Sequence, residues 1–156
     1  MRYERKYKIE DASYFEVLNA IKLYPASFIT VHPDRYVNSL YLDTHNQDAV
    51  RDNLAGISQR VKHRIRWYGK DISVAKNPQL EKKIKINQLG KKEYKKLPDF
   101  RLMVPNHRDA FALQDYIDKN IDSITLLRPV VFIQYLRSYL VSMDRKYRLT
   151  LDRGLK

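Results

Sequence analysis

The pattern of apolar and polar residues predicts a chain made mostly of β-strands. In most segments apolar side chains alternate with polar ones, which is the two-residue period of a strand with one packed face. The sequence HPDR at residues 32–35 predicts the turn of a hairpin between two of these strands. The predicted strands are Tyr3–Glu10, Ser27–Val31, Tyr36–Leu42, Ser58–Tyr68, Gln79–Asn87, Val130–Val141 and Met143–Asp152.

Helical periodicity interrupts the strands at two or three places. Apolar residues recur at helical spacing over residues 14–21, with Asp11 as the predicted N-cap and Pro25 as the stop. A short helix is predicted over Asn46–Leu54 and a longer one over about Asp109–Lys119. Strands joined mainly by turns, with few helices, predict an α+β fold with an antiparallel sheet.

Length and charge narrow the possible functions. The 156 residues suit a single domain. The chain has 30 Lys and Arg against 18 Asp and Glu, a net charge of +12, which indicates a polyanionic partner such as nucleic acid, phosphate esters or an anionic membrane. Zero cysteines exclude a disulfide scaffold, a thiol nucleophile and an iron–sulfur site. Because the sequence has neither a signal-peptide pattern nor a transmembrane segment, we expect a cytoplasmic protein.

One predicted strand, RVKHRIRW, places its cations at every second position. Since alternate residues of a strand point to the same side, these cations share one face, while Val61, Ile65 and Trp67 are predicted to pack on the other. Such a row of like charges needs solvent or a bound anion. The four cations are Arg60, Lys62, Arg64 and Arg66.

Other predicted strands repeat this arrangement, and Arg137 lies in a segment that is otherwise largely apolar or aromatic. If these faces converge, the strands form a barrel with a polar lumen, apolar residues outside and helices covering it. The alternative is that each charged face is simply solvated. The further faces carry Arg2, Glu4 and Lys6; Glu81, Lys83 and Lys85; and Lys146, Arg148 and Asp152.

Six motifs in order, RYERKY, SLYLDT, RVKHRIRWYG, LEKKIK, RPVVFIQYLRSYL and YRLTLD, cover residues 2–152. This series resembles the VTC domain, the polyphosphate polymerase domain of the vacuolar transporter chaperone, in the triphosphate tunnel metalloenzyme (CYTH-like) superfamily. The resemblance implies an antiparallel β-tunnel whose basic lumen binds ATP and polyphosphate. It also implies transfer of the ATP γ-phosphoryl group to a growing polyphosphate chain, with Mn²⁺ or Mg²⁺ held by glutamate.

The resemblance assigns roles to individual residues of this chain. The cations that match the family's catalytic positions are Lys6, Arg64, Arg66, Lys83, Arg137 and Arg148. Substrate-binding candidates are Arg60, Lys62, Lys85 and one of the neighbours Lys91 and Lys92. Glu4 and Glu81 are candidate metal ligands, although each could instead orient a lysine or form an ordinary salt bridge.

The resemblance also predicts that part of the family's domain is missing. Family members continue past the Arg-x-Thr-x-Asp strand into strands with a metal-binding glutamate and a lysine motif, whereas this sequence ends at LDRGLK. Residues 1–156 are therefore expected to be a single VTC-like domain truncated at its C-terminus. A homodimer or a second chain could complete it, because an open barrel leaves strand edges unpaired.

Two other functions remain open at the sequence level. One is a triphosphate hydrolase of the same superfamily. The other is a non-catalytic module that binds polyphosphate or single-stranded nucleic acid without sequence specificity. A nucleic-acid platform would display aromatic residues among its cations, and Trp67 and Tyr147 are predicted to lie opposite them, which favours phosphate chains. The run KKEYKK at 91–96 is predicted to be a solvated surface.

Overall fold

The computed structural model describes residues 4–87, 89–102, 107–122 and 126–156. The α+β class and the antiparallel sheet expected from the sequence are confirmed. The helices are α1 (Tyr14–Leu23), α2 (Asp48–Leu54) and α3 (His107–Asn120). The strands are β1 (Phe28–Asp43), β2 (Gln59–Tyr68), β3 (Val74–Ala75), β4 (Gln79–Ile86), β5 (Leu89–Lys96), β6 (Phe100–Arg101), β7 (Arg128–Ser142) and β8 (Arg148–Arg153).

Six of these strands form one sheet in the order β5-β4-β2-β1-β7-β8, and β3 pairs with β6. The chain divides into two compact units. One comprises Met1–Arg35 with Tyr135–Leu155, and the other comprises Tyr36–Gln134 with Lys156. The second unit therefore contains β2, β4 and β5, the strands that carry most of the predicted site residues.

The core of the second unit lies on the apolar face of β2. Ile65 and Trp67 are fully buried, as their alternation with the cations predicts. The Trp67 ring centroid lies 5.4 Å from that of Phe100 and 5.7 Å from that of Phe132. Ile117 of α3 belongs to the same cluster. Burial of this face fixes the orientation of β2 and leaves its cations on the other side.

The predicted hairpin at HPDR is wrong, because β1 runs without interruption from Phe28 to Asp43. Tight two-residue hairpin turns need positive φ angles, and none is found at 32–35. Asp34 instead accepts a hydrogen bond of 2.6 Å from Arg153 Nη2, and the Arg35 guanidinium lies 5.7 Å from the Tyr139 ring centroid. These contacts within the first unit hold the segment extended.

The predicted strand at the N-terminus is also wrong. Residues 4–10 are exposed and are not in a strand, while Arg2 and Tyr3 lie outside the described residues. Alternation makes a segment compatible with a strand, but a strand forms only where it pairs and buries a face. The cation face expected for Glu4 and Lys6 therefore does not exist as a strand face.

Helix α1 begins at a different cap from the one predicted. Ser13, not Asp11, is the N-cap, and it forms a capping box: Glu16 N donates to Ser13 Oγ at 3.3 Å, and Ser13 N donates to Glu16 Oε2 at 2.7 Å. The sequence S-Y-F-E carried this signal. As predicted, the helix ends just before Pro25.

Replacing Ser13 by Ala is expected to lower the free energy of unfolding by about 1 kcal/mol, since the Oγ atom that accepts from Glu16 N at the helix start is lost. Urea unfolding followed by circular dichroism measures this change. Asp11→Ala is the matched control and should leave the unfolding midpoint unchanged. An equal loss in both variants would contradict the cap assignment.

Strand β5 was missed, and β8 is shorter than predicted. The segment KKEYKK, expected to be a solvated surface, is largely exposed, but it lies in β5 and pairs with residues 79–84 of β4. Asn87 begins this hairpin connection with a φ of 54°, a conformation that Asn tolerates. Residues 143–147 form a turn before β8, in which Arg145 has a φ of 58°. Lys146 is therefore not part of a strand face.

Candidate functional site

The strand register of the second unit collects cations on one side of the sheet. Directly opposite residues of neighbouring strands share a face, so the pairs Arg60–Lys85, Lys62–Lys83 and Lys83–Lys92 lie together. We call this side of β2, β4 and β5 the basic face. Eight cations and one acid occupy it: Arg60, Lys62, Arg64, Arg66, Lys83, Lys85, Lys92 and Lys96, with Glu81.

A row of three lysines crosses the basic face. Lys62, Lys83 and Lys92 are directly opposite one another on β2, β4 and β5. Neighbouring strands are about 4.8 Å apart, and like charges placed directly opposite destabilise a sheet. The repulsion is relieved when an anion binds across the row, which makes this row a candidate binding site for a polyanion.

Beside this row, Glu81 joins the two arginines expected at the site. Arg64 Nε donates to Glu81 Oε2 at 2.6 Å, and Arg64 Nη2 also pairs with Oε2. Arg66 Nη1 lies 3.4 Å from the other oxygen, Oε1. The Glu81 side chain is only 9% exposed, and those of Arg64 and Arg66 are 23% and 13% exposed. The three residues thus form a largely buried cluster with a net positive charge.

The protonation of Arg64 follows from this pairing. Burial by itself lowers the pKa of Arg64, but the charge and hydrogen bond of Glu81 outweigh it and raise the pKa above its ordinary value. The Tyr41 hydroxyl, which accepts a bond of 3.4 Å from Arg64 Nη1, adds to this effect. Arg64 is therefore a permanent cation at the site.

The register favours Lys92 over Lys91 for the family's further lysine. Lys92 lies opposite Lys83 and belongs to the basic face, whereas Lys91 lies opposite Ile84 on the other side of the sheet. Lys91 is exposed there and contacts Glu93 at 2.8 Å, which raises the pKa of Lys91 through that hydrogen bond. The sequence left this choice open, because the hairpin between β4 and β5 was not predicted.

Arg137 and Arg148 share a face within the first unit. Arg137 Nε and Nη2 each donate to an Asp152 carboxylate oxygen at 2.6 Å, and the guanidinium carbon lies 5.0 Å from the Tyr135 ring centroid. The hydrogen bond with Asp152 is the main cause that raises the pKa of Arg137. Arg148 lies opposite Val141, so it points to the same side as Arg137. Sequence analysis placed both cations correctly on strands, but it did not predict the Arg137–Asp152 pair.

Lys6 and Glu4, in the first unit, form only an exposed ion pair. The Lys6 Nζ and Glu4 Oε1 atoms are 3.8 Å apart, with side chains 85% and 65% exposed. Because residues 4–10 are not in a strand, no register relates these two residues to other cations. Their assignment to the site stays a prediction of the resemblance.

The carboxylates of the described residues do not by themselves fit a divalent-cation site. Within 4–87, 89–102, 107–122 and 126–156, no group of three or more His, Asp or Glu side chains lies close enough together to hold a metal ion. The Glu81 oxygens are instead bound by arginines. The expected roles of Glu4 and Glu81 as ligands of Mn²⁺ or Mg²⁺ stay predictions.

Two tyrosines on the basic face were missed by sequence analysis. Tyr94 lies opposite Glu81, and Tyr68 is on the cation-bearing side of β2; their exposed fractions are 60% and 47%. Trp67 lies on the opposite face, as predicted, whereas Tyr147 precedes β8 and is not on a strand face. No sequence signal marked Tyr94, because charged residues occupy both alternating sets of positions in 91–96.

His63 lies on the apolar side of β2 and is half-buried. Burial is the main cause that lowers the pKa of His63 below 6.5. The charge of Lys82 lowers this pKa further, and the charge of Asp43 opposes the shift.

Asp43 accepts backbone hydrogen bonds from Thr44, Ala49 and Val50, so it holds the start of α2. The N-cap residue of α2 itself is Gln47.

The lowered pKa of His63 predicts a loss of stability in mild acid. The unfolded chain takes up a proton at this position below about pH 6.5, whereas the folded chain resists it, so stability falls as the pH drops through that value. We expect a lower melting temperature at about pH 5.5 than at about pH 7.5. His63→Gln should reduce this difference. An identical pH dependence in wild type and variant would contradict the prediction.

Comparison with models of protein families identifies the family to which the sequence belongs. No helix among the described residues is long and apolar enough to cross a membrane. No curated protein matches the chain. The family model described as "VTC domain" matches residues 1–156. The chain therefore belongs to the VTC domain family.

Proposed function

We propose that this domain binds the phosphate chains of ATP and polyphosphate and transfers the γ-phosphoryl group of ATP to the end of a polyphosphate chain. The observation that carries the proposal is the basic face, with eight cations and one acid on three adjacent strands. Two inter-strand spacings correspond to roughly 10 Å. This length is greater than that of a single phosphate group and suits a row of linked phosphates.

The side chains of the basic face suit phosphoryl transfer. This reaction depends mainly on positioning the reactants and on neutralising the charge of the phosphate oxygens, so it needs no protein nucleophile. Arg64 would donate to phosphate oxygens with the guanidinium hydrogens that do not point at Glu81 or Tyr41, and Arg66 would bind them through its planar fork. Lys83 and Lys92 would act as point charges. Arg60, Lys62 and Lys85 would extend the positive field along the chain.

In the first unit, Lys6, Arg137 and Arg148 are proposed to contribute further phosphate contacts. This part of the proposal is supported by the family resemblance and by the common face of Arg137 and Arg148. Arg137 already binds Asp152 with two of its donors. A phosphate chain would therefore share Arg137 with that carboxylate or compete with it.

Two parallel measurements test the proposal. The purified chain is incubated with ATP and Mn²⁺ and examined for polyphosphate on a gel, and tripolyphosphate binding is measured by calorimetry with EDTA present. Polyphosphate formation supports the polymerase. Release of phosphate without chain growth would indicate a triphosphate hydrolase instead, and binding without turnover would indicate a polyanion-binding module. Absence of both binding and product would overturn the proposal.

Tyr68 and Tyr94 favour single-stranded nucleic acid as a second candidate ligand. Exposed aromatic rings among cations can stack on bases, which adds roughly 1–3 kcal/mol per base without sequence preference. Tyr94→Ala distinguishes the ligands, because stacking matters for oligothymidylate and not for tripolyphosphate. Weaker oligothymidylate binding with unchanged tripolyphosphate binding would show that Tyr94 stacks on bases.

Lys92→Ala is expected to weaken tripolyphosphate binding several-fold, because it removes one cation from the row formed with Lys62 and Lys83. Lys91→Ala is the matched control, since it removes the same charge from the neighbouring residue on the other side of the sheet. Calorimetry at one fixed salt concentration compares the two variants. Equal losses would mean that net charge alone, and not the basic face, determines binding.

A further inference from the structure

Arg64 and Arg66 are two residues apart on one strand, so their Cα atoms are separated by about 6.6 Å and their side chains share a face. Like charges this close repel, and the repulsion grows where water is excluded. Both side chains are nevertheless largely buried. Something must therefore hold the two guanidinium groups together in the folded chain.

Glu81 supplies that attraction through two different oxygen atoms. Oε2 accepts from Arg64 and Oε1 faces Arg66, so one carboxylate bridges both cations. The Tyr41 hydroxyl accepts from a third nitrogen of the guanidinium of Arg64. These contacts fix the direction of the Arg64 fork before any ligand arrives.

We propose that Glu81 is a positioning residue that holds Arg64 and Arg66 in a convergent arrangement for binding phosphate chains; this inference rests on the proposed function. Glu81 acts through the arginines and need not touch the ligand. Because its carboxylate is negative, its net effect on a polyanion combines two opposing contributions. The carboxylate of Glu81 repels the ligand, which weakens binding. It also keeps the two arginines together, which strengthens binding, and this second contribution is the larger.

Glu81→Gln separates positioning from the other roles of this carboxylate when tripolyphosphate binding is measured in EDTA. If Glu81 only repelled the ligand, the variant would bind more tightly, because the net charge rises by one. If Glu81 served only as a metal ligand, removal of metal would make the variant and the wild type equal. Positioning predicts binding about tenfold weaker than wild type, equivalent to one well-aligned charged hydrogen bond. Tighter or equal binding overturns the inference.

Glu81→Asp keeps the test decisive if the glutamine variant fails to fold. Aspartate preserves the charge but is one methylene shorter, so it cannot bridge both guanidinium groups from the same backbone position. Positioning predicts weaker binding than wild type, whereas a pure charge effect predicts no change. A thermal melt first confirms that each variant is folded. If wild type itself does not bind tripolyphosphate, the proposed function fails; if wild type binds and the Glu81 variants bind equally well, only the positioning role fails.

Discussion

Replacement of both Arg64 and Arg66 by glutamine is expected to weaken tripolyphosphate binding by about 100-fold or more. A hydrogen bond between an arginine and a charged oxygen contributes about 1.5–3 kcal/mol, and each 1.4 kcal/mol corresponds to a tenfold change in affinity. Two such groups are lost together in this variant. Calorimetric titration at fixed salt concentration measures the change, and a loss smaller than tenfold would reject these two arginines as phosphate ligands.

The double variant also leaves Glu81 as a buried charge without its two arginine partners. Breaking such a cluster commonly costs about 3–5 kcal/mol of stability, so part of any binding loss could come from unfolding. Adding Glu81→Gln to the double variant removes the buried charge and restores a neutral site. Lys82→Ala with Lys91→Ala is the charge-matched control, since both lysines lie on the opposite side of the sheet. Binding in this control should remain close to that of wild type.

Trp67→Ala is expected to lower the free energy of unfolding by about 3–5 kcal/mol, the usual cost of removing a large buried aromatic side chain. Trp67 is fully buried and packs edge-on against Phe100, with Phe132 tilted against it. Urea unfolding monitored by circular dichroism gives the difference. Tyr147→Ala is the control, because this ring is 62% exposed and its loss should change stability by about 0.5 kcal/mol or less. A small effect at Trp67 would mean that the packing side of β2 is misassigned.

The sequence predicted β2 well because its two faces have opposite chemistry. Ile65 and Trp67 have to be buried, and a shift by one residue would place the arginines in the apolar core instead, away from Glu81. The same reasoning succeeded for β4, and helical periodicity succeeded for α1. In these three segments the spacing of the apolar residues and their burial in the folded chain require the same structure. The spacing alone was therefore sufficient to predict the strand or helix.

The predictions failed where the pattern did not depend on burial. Residues 4–10 alternate but have no buried face, and 32–35 contain turn-like residues although the contacts of Asp34 and Arg35 keep the strand extended. Five of the eight residues of β5 are charged and its apolar residues do not alternate with them, so its pairing with β4 defines it. Pairing is a tertiary property that the composition of one segment does not encode.

In the candidate site, the features that depend on one strand could be predicted from the sequence, and those that depend on pairing between strands could not. The common face of Arg64 and Arg66 follows from the period of one strand, and the structure places both side by side. The role of Glu81 as their shared partner depends on the register between β2 and β4, which the sequence does not reveal. The same is true of Lys92 and Tyr94, whose faces are set by the register between β4 and β5.

Strand β5 is an outer strand of the sheet and carries four lysines, Lys91, Lys92, Lys95 and Lys96. Lysines on an exposed edge keep molecules from joining edge to edge, because the approach of a second copy brings like charges together. A long polyanion that neutralises Lys92 and Lys96 would remove part of this protection. Binding of a polyanion to β5 is thus expected to make the protein more prone to associate. The turbidity of the solution should rise when long phosphate chains are added until their negative charge equals the positive charge of the protein.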